Sequence, residues 1–227
     1  MRSLIREGLD ALGLRWGDLQ VSQLEAYYRE LELWNPRYRL VGAAGEEIIR
    51  KHIFDALCPL PLLLERRPPL FGSGRAADLG SGNGIPGIPA AVMIDELHIA
   101  LIERSAKRCG FLRNCAAVTG LQQRIEVVES DMAAVSRQFP CIMLRAVKQL
   151  PDLLHILLPR LEPGGTVIAY RGTEDMTSRE THMISGYFSA HGLQEPRTEV
   201  IRAVNPLLPG HQRHVLILTV ARQHDSG

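Results

Sequence analysis

The sequence lacks a long apolar run, since none of its apolar stretches reaches the roughly 18 residues that a membrane-spanning helix needs. The first residues include Glu7, and no small-residue cleavage site follows them. We therefore expect neither a signal peptide nor a membrane anchor. These absences together predict a cytoplasmic protein.

Cysteine is scarce, and its spacing contains no metal-binding pattern. The four cysteines are Cys58, Cys109, Cys115 and Cys141. No two of them form a Cys-x-x-Cys pair, and no histidine cluster lies beside them. We expect buried free thiols that behave as small apolar side chains, with neither disulfides nor a metal.

Lysine and aromatic residues are also few. The chain has 3 lysines among its 26 basic residues, 5% aromatic residues and a net charge of +1. Low aromatic content disfavours extensive base stacking. The net charge does not by itself predict a nucleic-acid partner, but a local basic patch is enough for phosphate contacts.

The hydrophobic patterns change from helical to alternating along the chain. Helices are predicted over residues 18–34, with Asp18 as the N-cap, and over 45–57, where Pro59 stops the helix. Beyond the Pro/Gly loop at 66–74, strands are predicted at 75–79, 98–103, 125–128, 141–144 and 166–170. Helices are predicted between them, at 86–93, 105–119, 149–158 and 173–189. The last two predicted strands, at 197–204 and 213–222, have no helix between them.

Strands that alternate with helices predict a parallel sheet, and the helix-free tail predicts an antiparallel hairpin. This α/β arrangement, a seven-stranded mostly parallel sheet with a terminal hairpin, is that of class I (Rossmann-like) methyltransferases. We expect residues 1–65 to form a helical extension packed on a core domain at 66–227, the two making one compact unit.

A glycine loop follows the first predicted strand. Gly80, Gly82 and Gly84 alternate there, which suits positive φ angles and close approach of a ligand to the backbone. Gly82, Gly84 and Gly87 also match the dinucleotide fingerprint, but Asp78 would place a carboxylate beside a pyrophosphate. A carboxylate instead favours the cationic sulfonium and ammonium of S-adenosylmethionine. The loop therefore predicts S-adenosylmethionine as the cofactor.

Two further acids follow the next strands. Glu103 ends the second strand, where it can accept both ribose hydroxyls of an adenosine. Asp131 follows the third strand, near the expected adenine, although a solvated loop carboxylate is an equal alternative. Asp78, the glycine loop and Glu103 lie at the carboxyl ends of adjacent strands, where open α/β sheets bind ligands.

Several motifs between residues 34 and 172 resemble those of one enzyme family. The motifs are Gly84-Ile-Pro-Gly-Ile-Pro89, Ser105-Ala-Lys-Arg-Cys-Gly-Phe-Leu-Arg113, Lys51-His-Ile-Phe-Asp55, Arg145-Ala146, Pro163-Gly-Gly165 and Arg171-Gly172. They resemble the RsmG/GidB family, which methylates N7 of a guanine in small-subunit (16S) rRNA. The resemblance implies that the partner is 16S rRNA or the small ribosomal subunit. We expect a monomer.

The same resemblance implies roles for individual residues. Gly80, Ile85 and Glu103 would line the cofactor, and Met132 and Ala133 would cover its adenine. Arg145 would reach the cofactor or the target. The sequence departs from the family pattern at Arg39-Leu40-Val41, at Leu144 before Arg145, and at Ala133, where the family usually has glutamate.

The expected acceptor side includes His52 and Asp55, three residues apart on one helical face. They either border the target pocket or form a hydrogen-bonded pair that anchors the N-terminal helices. Arg145 has a comparable alternative, namely pairing with a structural acid such as Asp55. No general base is expected, because guanine N7 carries an in-plane lone pair and no proton.

A basic patch near the strand ends is the candidate RNA-binding surface. Its members are Arg37, Arg39, Arg104, Lys107, Arg108, Lys148 and Arg171. For Arg108 a solvated helix surface is the alternative. Two other functions stay open: a small-molecule S-adenosylmethionine-dependent methyltransferase, and a non-catalytic ribosome-assembly factor that binds the cofactor.

Overall fold

The computed structural model describes residues 1–66, 70–145 and 149–221. The seven strands are β1 Arg75–Leu79, β2 His98–Glu103, β3 Ile125–Glu129, β4 Phe139–Arg145, β5 Leu161–Arg171, β6 Arg197–Val204 and β7 Gln212–Thr219. The helices before the sheet are α1 Arg2–Ala11, α2 Asp18–Tyr38, α3 Glu46–Ile48, α4 Phe54–Leu57 and α5 Leu60–Leu64. The helices between strands are α6 Gly87–Met93, α7 Ala106–Val118, α8 Leu150–Leu157 and α9 Glu174–Ala190.

The strands form one seven-stranded sheet in the order β3-β2-β1-β4-β5-β7-β6. The first five strands are parallel to one another, and β7 runs antiparallel to both β5 and β6. The predicted class I methyltransferase architecture, including the terminal hairpin, is confirmed. Because β7 is antiparallel, its first residues lie at the carboxyl edge of the parallel strands, where His214 pairs with Arg171.

Helix α2 starts one residue earlier than predicted. Gly17 is the N-cap, and its backbone N–H donates to the side-chain oxygen of Gln20 at 2.9 Å. The prediction of Asp18 as N-cap is wrong, since Asp18 is the first helical residue. Its carboxylate there still favours the positive end of the helix dipole.

The segment predicted as one α-helix over 45–57 is divided. A π-helical turn at Ile49–Ile53 joins α3 to α4, and α5 begins directly after Pro59. A π turn is wider than an α turn, so residues three apart within it no longer share a face in the α-helical way. This local change bears on His52 and Asp55.

Two apolar clusters cover the two faces of the sheet. The larger joins residues of the N-terminal helices, such as Leu24 and Ile53, with Ile88 of α6 and Leu101 of β2. The smaller joins α8 and α9 to the opposite face. The N-terminal segment therefore contributes to the same buried cluster as the sheet.

The four cysteines are free and buried, as predicted. Burial raises the pKa of each thiol, to about 12 for Cys58 and Cys141, so the thiols stay protonated at neutral pH. Within the described ranges no helix has the length and apolar content needed to cross a membrane. Nor does any group of three or more His, Cys, Asp or Glu residues in those ranges suit a metal ion.

Candidate cofactor and RNA site

The glycine loop connects β1 to α6 and depends on left-handed backbone. Gly80, Gly82 and Gly84 have φ angles of 72°, 56° and 86°, a region that other residues rarely adopt. The amides of Gly80 and Ser81 both donate to the carbonyl of Ile102, at 2.9 and 3.1 Å. These bonds attach the loop to the end of β2. The φ angles of the three glycines confirm the predicted left-handed backbone.

The N-terminal helices support the loop from behind. The Tyr27 hydroxyl donates to the Asn83 carbonyl at 2.6 Å, and the Asn83 amide donates to the Leu40 carbonyl at 3.1 Å. The Asn83 side-chain oxygen accepts from the Ile85 amide at 3.1 Å. Asn83 therefore connects three segments and fixes the shape of the loop.

A cleft of about 430 Å³ opens beside the glycine loop, at the carboxyl ends of β2 and β3. Its lining residues are Gly80, Ile102, Glu103, Arg104, Arg108, Ser130, Asp131, Met132, Leu153 and Ile156. Leu153 and Ile156 lie three residues apart on α8 and form an apolar wall. Gly80, Glu103, Asp131 and Met132, all predicted cofactor residues, thus come together in this cleft.

Glu103 provides a fixed negative charge in the cleft. Its side chain is 5% exposed, and its two carboxylate oxygens accept from the amides of Gly82 at 3.0 Å and Ser105 at 2.8 Å. Each oxygen of an ionised carboxylate has a second acceptor position. The remaining positions are available to a pair of ligand hydroxyls.

The rim of the cleft carries two arginines and Asp131. Arg108 lies 3.9 Å from the Glu103 carboxylate, and Arg104 lies 4.0 Å from Asp131. Asp131 itself caps a short 3-10 helix at Met132–Ala134 by accepting from the Ala133 amide at 2.9 Å. Arg104 and Arg108, which were predicted to bind RNA, therefore line the cofactor cleft.

Asp78 lies underneath the glycine loop and does not line the cleft. Its carboxylate is 1% exposed and accepts from the Gly87 amide at the start of α6, at 3.0 Å. Burial raises the pKa of Asp78 to about 7, although the bond from Gly87 opposes that rise. A Cβ atom on Gly87 would come within 2.8 Å of this carboxylate, so the glycine makes the contact possible.

Four other predicted cofactor residues lie around the cleft rather than in its lining. Ile85 is buried, and Gly84 packs so closely on Ile88 that an added Cβ would come within 2.5 Å of it. Gly82 donates to Glu103, and the Ala133 carbonyl accepts from Arg160. Their observed contacts stabilise the backbone that surrounds the cleft.

A second polar cluster lies at the same edge of the sheet. Asp55 is fully buried, and Arg213 binds it through both oxygens, at 2.7 and 2.8 Å. Arg145 pairs with the same carboxylate at 3.0 Å, and the ring of His211 lies 2.9 Å from it. We call Asp55, Arg145, His211 and Arg213 the Asp55 cluster. The pairing of Arg145 with Asp55 is the alternative that the sequence left open.

His52 is half-buried beside this cluster, and its carbonyl accepts a long 3.4 Å bond from Arg145. Burial, with the nearby Arg145 charge, lowers the pKa of His52 to about 4, so the ring is neutral at physiological pH. The carboxylate of Asp55 bonds to Arg145, His211 and Arg213. The expected His52–Asp55 pair is not among the hydrogen bonds of these described residues, in keeping with the π turn that precedes Asp55.

Arg171 is buried, at 4% exposure, and it pairs with Glu180 of α9 at 2.8 Å. The other oxygen of Glu180 accepts from the Leu150 amide at the start of α8, at 3.2 Å. The Arg171 carbonyl accepts from Arg213 at 2.8 Å. The prediction that Arg171 belongs to an RNA-binding surface is wrong for this structure, because its guanidinium is enclosed.

The other members of the predicted basic patch that lie within the described residues are exposed. Arg37 and Arg39 lie at the end of α2, and Lys107 lies on the first turn of α7. Arg39 adopts a left-handed conformation with φ 49°. Lys148 lies outside the described residues.

Several residues of these sites were missed from the sequence. They are Tyr27, Asn83, Leu153, Ile156, Glu180, His211 and Arg213. The i, i+3 apolar spacing of Leu153 and Ile156 was a usable signal for a helix face over the cleft. Arg213 and His211 carry no local signal, because their partner Asp55 is more than 150 residues away along the chain.

The fold and the cleft at its carboxyl edge define a class I methyltransferase. The family model for GidB, rRNA small subunit methyltransferase G, matches residues 20–203. The chain belongs to this family of rRNA methyltransferases.

Individual proteins agree with this assignment. The "Ribosomal RNA small subunit methyltransferase G" of Syntrophus aciditrophicus is 30% identical, over 74% of this chain and 70% of that protein. Its namesake from Rubrobacter xylanophilus is 35% identical, over 75% of this chain and 66% of that protein.

Solved structures support the fold. A putative O-methyltransferase from Klebsiella pneumoniae superimposes with a TM-score of 0.55 at 14% identity, covering 94% of both chains. M. jannaschii TYW2, solved in complex with AdoMet, gives a TM-score of 0.51 at 17% identity and covers 65% of this chain and 68% of that one.

Proposed function

We propose that this chain transfers the methyl group of S-adenosylmethionine to N7 of a guanine in 16S rRNA. The observation that carries the proposal is the buried Glu103 carboxylate, held by two backbone amides beside a glycine loop with open backbone. Relatives named rRNA small subunit methyltransferase G support the rRNA substrate. The N7 position follows from the family resemblance.

The donor set of the cleft fits an adenosine. Glu103 offers carboxylate oxygens to ribose hydroxyls, while Ile102, Met132, Leu153 and Ile156 offer apolar surface to a flat base. TYW2, a protein of similar fold, has been solved with AdoMet bound. When bound, the cofactor supplies an electrophilic methyl group on its sulfonium.

The residues of the chain then have to align the acceptor, since guanine N7 has no proton to lose. Holding the nitrogen in line with the methyl–sulfur bond is worth about 7–11 kcal/mol at best. Arg145 ends β4, its side chain is 15% exposed, and it belongs to the Asp55 cluster. We assign Arg145 to positioning, with His52 and Asp55 as its neighbours.

The proposal is tested by methylation in vitro. The purified chain is incubated with radiolabelled S-adenosylmethionine and either naked 16S rRNA or small ribosomal subunits, and the product is mapped by mass spectrometry. We expect one guanine to gain a methyl group at N7. Label in a small molecule but not in RNA would favour a small-molecule methyltransferase. Cofactor binding without methyl transfer to any substrate would favour a non-catalytic ribosome-assembly factor.

A second experiment, in cells, tests the same proposal without a reconstituted methylation reaction. Small-subunit rRNA from cells lacking this chain is compared with rRNA from the parent strain. We expect a methylated guanine in the parent alone. Identical methylation maps from the two strains contradict the proposal.

A further inference from the structure

The Asp55 cluster holds more positive charge than its carboxylate balances. Two guanidinium groups, from Arg145 and Arg213, share the single carboxylate of Asp55. Two nearby acids do not neutralise the remaining positive charge. Glu180 is already paired with Arg171, and burial raises the pKa of Asp78 to about 7, so Asp78 is only partly ionised near neutrality.

This surplus charge is accessible but poorly hydrated. The side chains of Arg145 and Arg213 are 15% and 14% exposed, while that of His211 is 38% exposed and forms the outer side of the cluster. A charge removed from most of its water is stabilised by an anion that replaces that water. The cluster thus has the properties of an anion site open on one side.

The cluster is separate from the cofactor cleft. The cleft is lined from β2, β3, the glycine loop and α8, and neither Arg145 nor Arg213 belongs to its lining. Arg145 ends β4, the strand next to β1, and Arg213 lies near the start of β7. Both therefore belong to the same carboxyl edge, on the side of β1 away from β2 and β3. An anion bound there would belong to the acceptor rather than to the cofactor.

We infer that Arg145 and Arg213, held side by side by Asp55, bind a backbone phosphate of the RNA next to the target base. This inference rests on the proposed function, because that function supplies a polyanionic acceptor. Planar guanidinium groups match phosphate oxygens in pairs. Asp55 keeps the two groups close without cancelling both of their charges.

The surplus charge can be removed while both guanidinium groups keep their pairing with Asp55. His211→Glu gives up the 2.9 Å bond between His211 and Asp55 and adds one carboxylate at the outer side of the cluster, with Arg145 and Arg213 unchanged. Gln212→Glu is the matched control, because Gln212 is exposed, neighbours His211 and precedes Arg213 on the strand, where alternate side chains point to opposite faces.

We expect His211→Glu to weaken binding to a synthetic fragment of 16S rRNA about tenfold and to reduce the slope of log K against log salt by about one. Gln212→Glu should change either quantity much less. The affinity for S-adenosylmethionine, measured by calorimetry, should stay the same in both variants. A melting curve of each variant checks that it is folded.

Inorganic phosphate tests the anion site without RNA. At matched ionic strength, phosphate should raise the Tm of the unaltered chain and of Gln212→Glu, but not that of His211→Glu. Equal RNA affinities in the two variants overturn the inference. A loss of S-adenosylmethionine affinity in His211→Glu also overturns the inference, because the anion bound by the cluster would then be the carboxylate of the cofactor. If the unaltered chain binds no 16S rRNA fragment, the proposed function is overturned instead. The phosphate measurement then still tests whether the Asp55 cluster binds an anion.

Discussion

The cofactor cleft and the Asp55 cluster lie at the same edge of one sheet but are built in opposite ways. In the cleft, the charge of Glu103 is held by backbone amides from residues close to it in the chain. In the cluster, the charge of Asp55 is held by side chains up to 158 residues away. The first region presents negative charge to a ligand and the second presents positive charge. One edge therefore suits a cationic cofactor and an anionic acceptor side by side.

The largest effect should come from removing the buried carboxylate of the cluster. Asp55→Ala leaves two guanidinium groups close together in a mostly buried place, and we expect the free energy of unfolding to fall by about 3–5 kcal/mol. Chemical denaturation measures it. Asp175→Ala is the control, because Asp175 pairs with Arg179 on the surface, where the loss should be about 0–1 kcal/mol. Equal losses in the two variants would mean that the cluster is as weakly coupled as a surface pair.

The next effect belongs to the cleft. Glu103→Gln removes the charge and leaves one acceptor oxygen for two backbone amides and two ribose hydroxyls. Charge-assisted hydrogen bonds are worth about 1.5–3 kcal/mol each, so affinity for S-adenosylmethionine should fall roughly a hundredfold. Calorimetry measures this affinity.

Glu129→Gln provides the matched control, because Glu129 ends the neighbouring strand but is exposed and paired with Arg113. Its cofactor affinity should be unchanged. If Glu129→Gln and Glu103→Gln weaken binding alike, the cofactor does not use the Glu103 carboxylate in the way proposed.

Arg145→Lys tests the boundary between the two regions. Lysine keeps the charge but loses the planar fork, so we expect a loss of roughly 1–3 kcal/mol in transition-state stabilisation and a methyl-transfer rate at least about tenfold lower. Cofactor affinity should not change. Arg50→Lys is the control, since Arg50 pairs with Glu46 outside the cluster. A lower Tm with an unchanged methylation rate would make Arg145 purely structural.

The smallest effect should be at the rim of the cleft. The Arg104 side chain is 81% exposed and lies 4.0 Å from Asp131, a distance at which a solvated pair contributes little. Arg104→Gln should change the free energy of unfolding by less than about 0.5 kcal/mol. A larger loss, measured by denaturation, would show that the Arg104–Asp131 pair stabilises the fold more than a solvated pair does.

The fold and the cleft were largely predictable because their signals are local. The predicted bounds of β1, β2 and β6 match the observed strands, and the glycine loop follows from alternating glycines after a strand. Glu103 and Asp131 were predictable because parallel strands end at a common edge. Each of these inferences needs only a short stretch of sequence and the rule that connects it to the sheet.

The Asp55 cluster was less predictable because it depends on tertiary contacts. Asp55 and Arg145 were named from the family resemblance, but Arg213 meets them only after the hairpin has paired with β5. Arg171 was mispredicted for the same reason. Its position after a predicted strand indicated an exposed side chain, but a tertiary contact with Glu180 of α9 encloses it. The apolar spacing of the sequence likewise gives no signal for the π turn before Asp55.

Arg213 also bonds to the Arg171 carbonyl, and Arg171 reaches the first amide of α8 through Glu180. These hydrogen bonds therefore connect the Asp55 cluster to the helix that supplies Leu153 and Ile156 to the cofactor cleft. Thermodynamic linkage then sets a strict condition: the factor by which RNA tightens cofactor binding must equal the factor by which the cofactor tightens RNA binding. Titrating each ligand in the presence and absence of the other measures both factors, and a shared factor that returns to one in Glu180→Gln would identify this hydrogen-bond path as the connection.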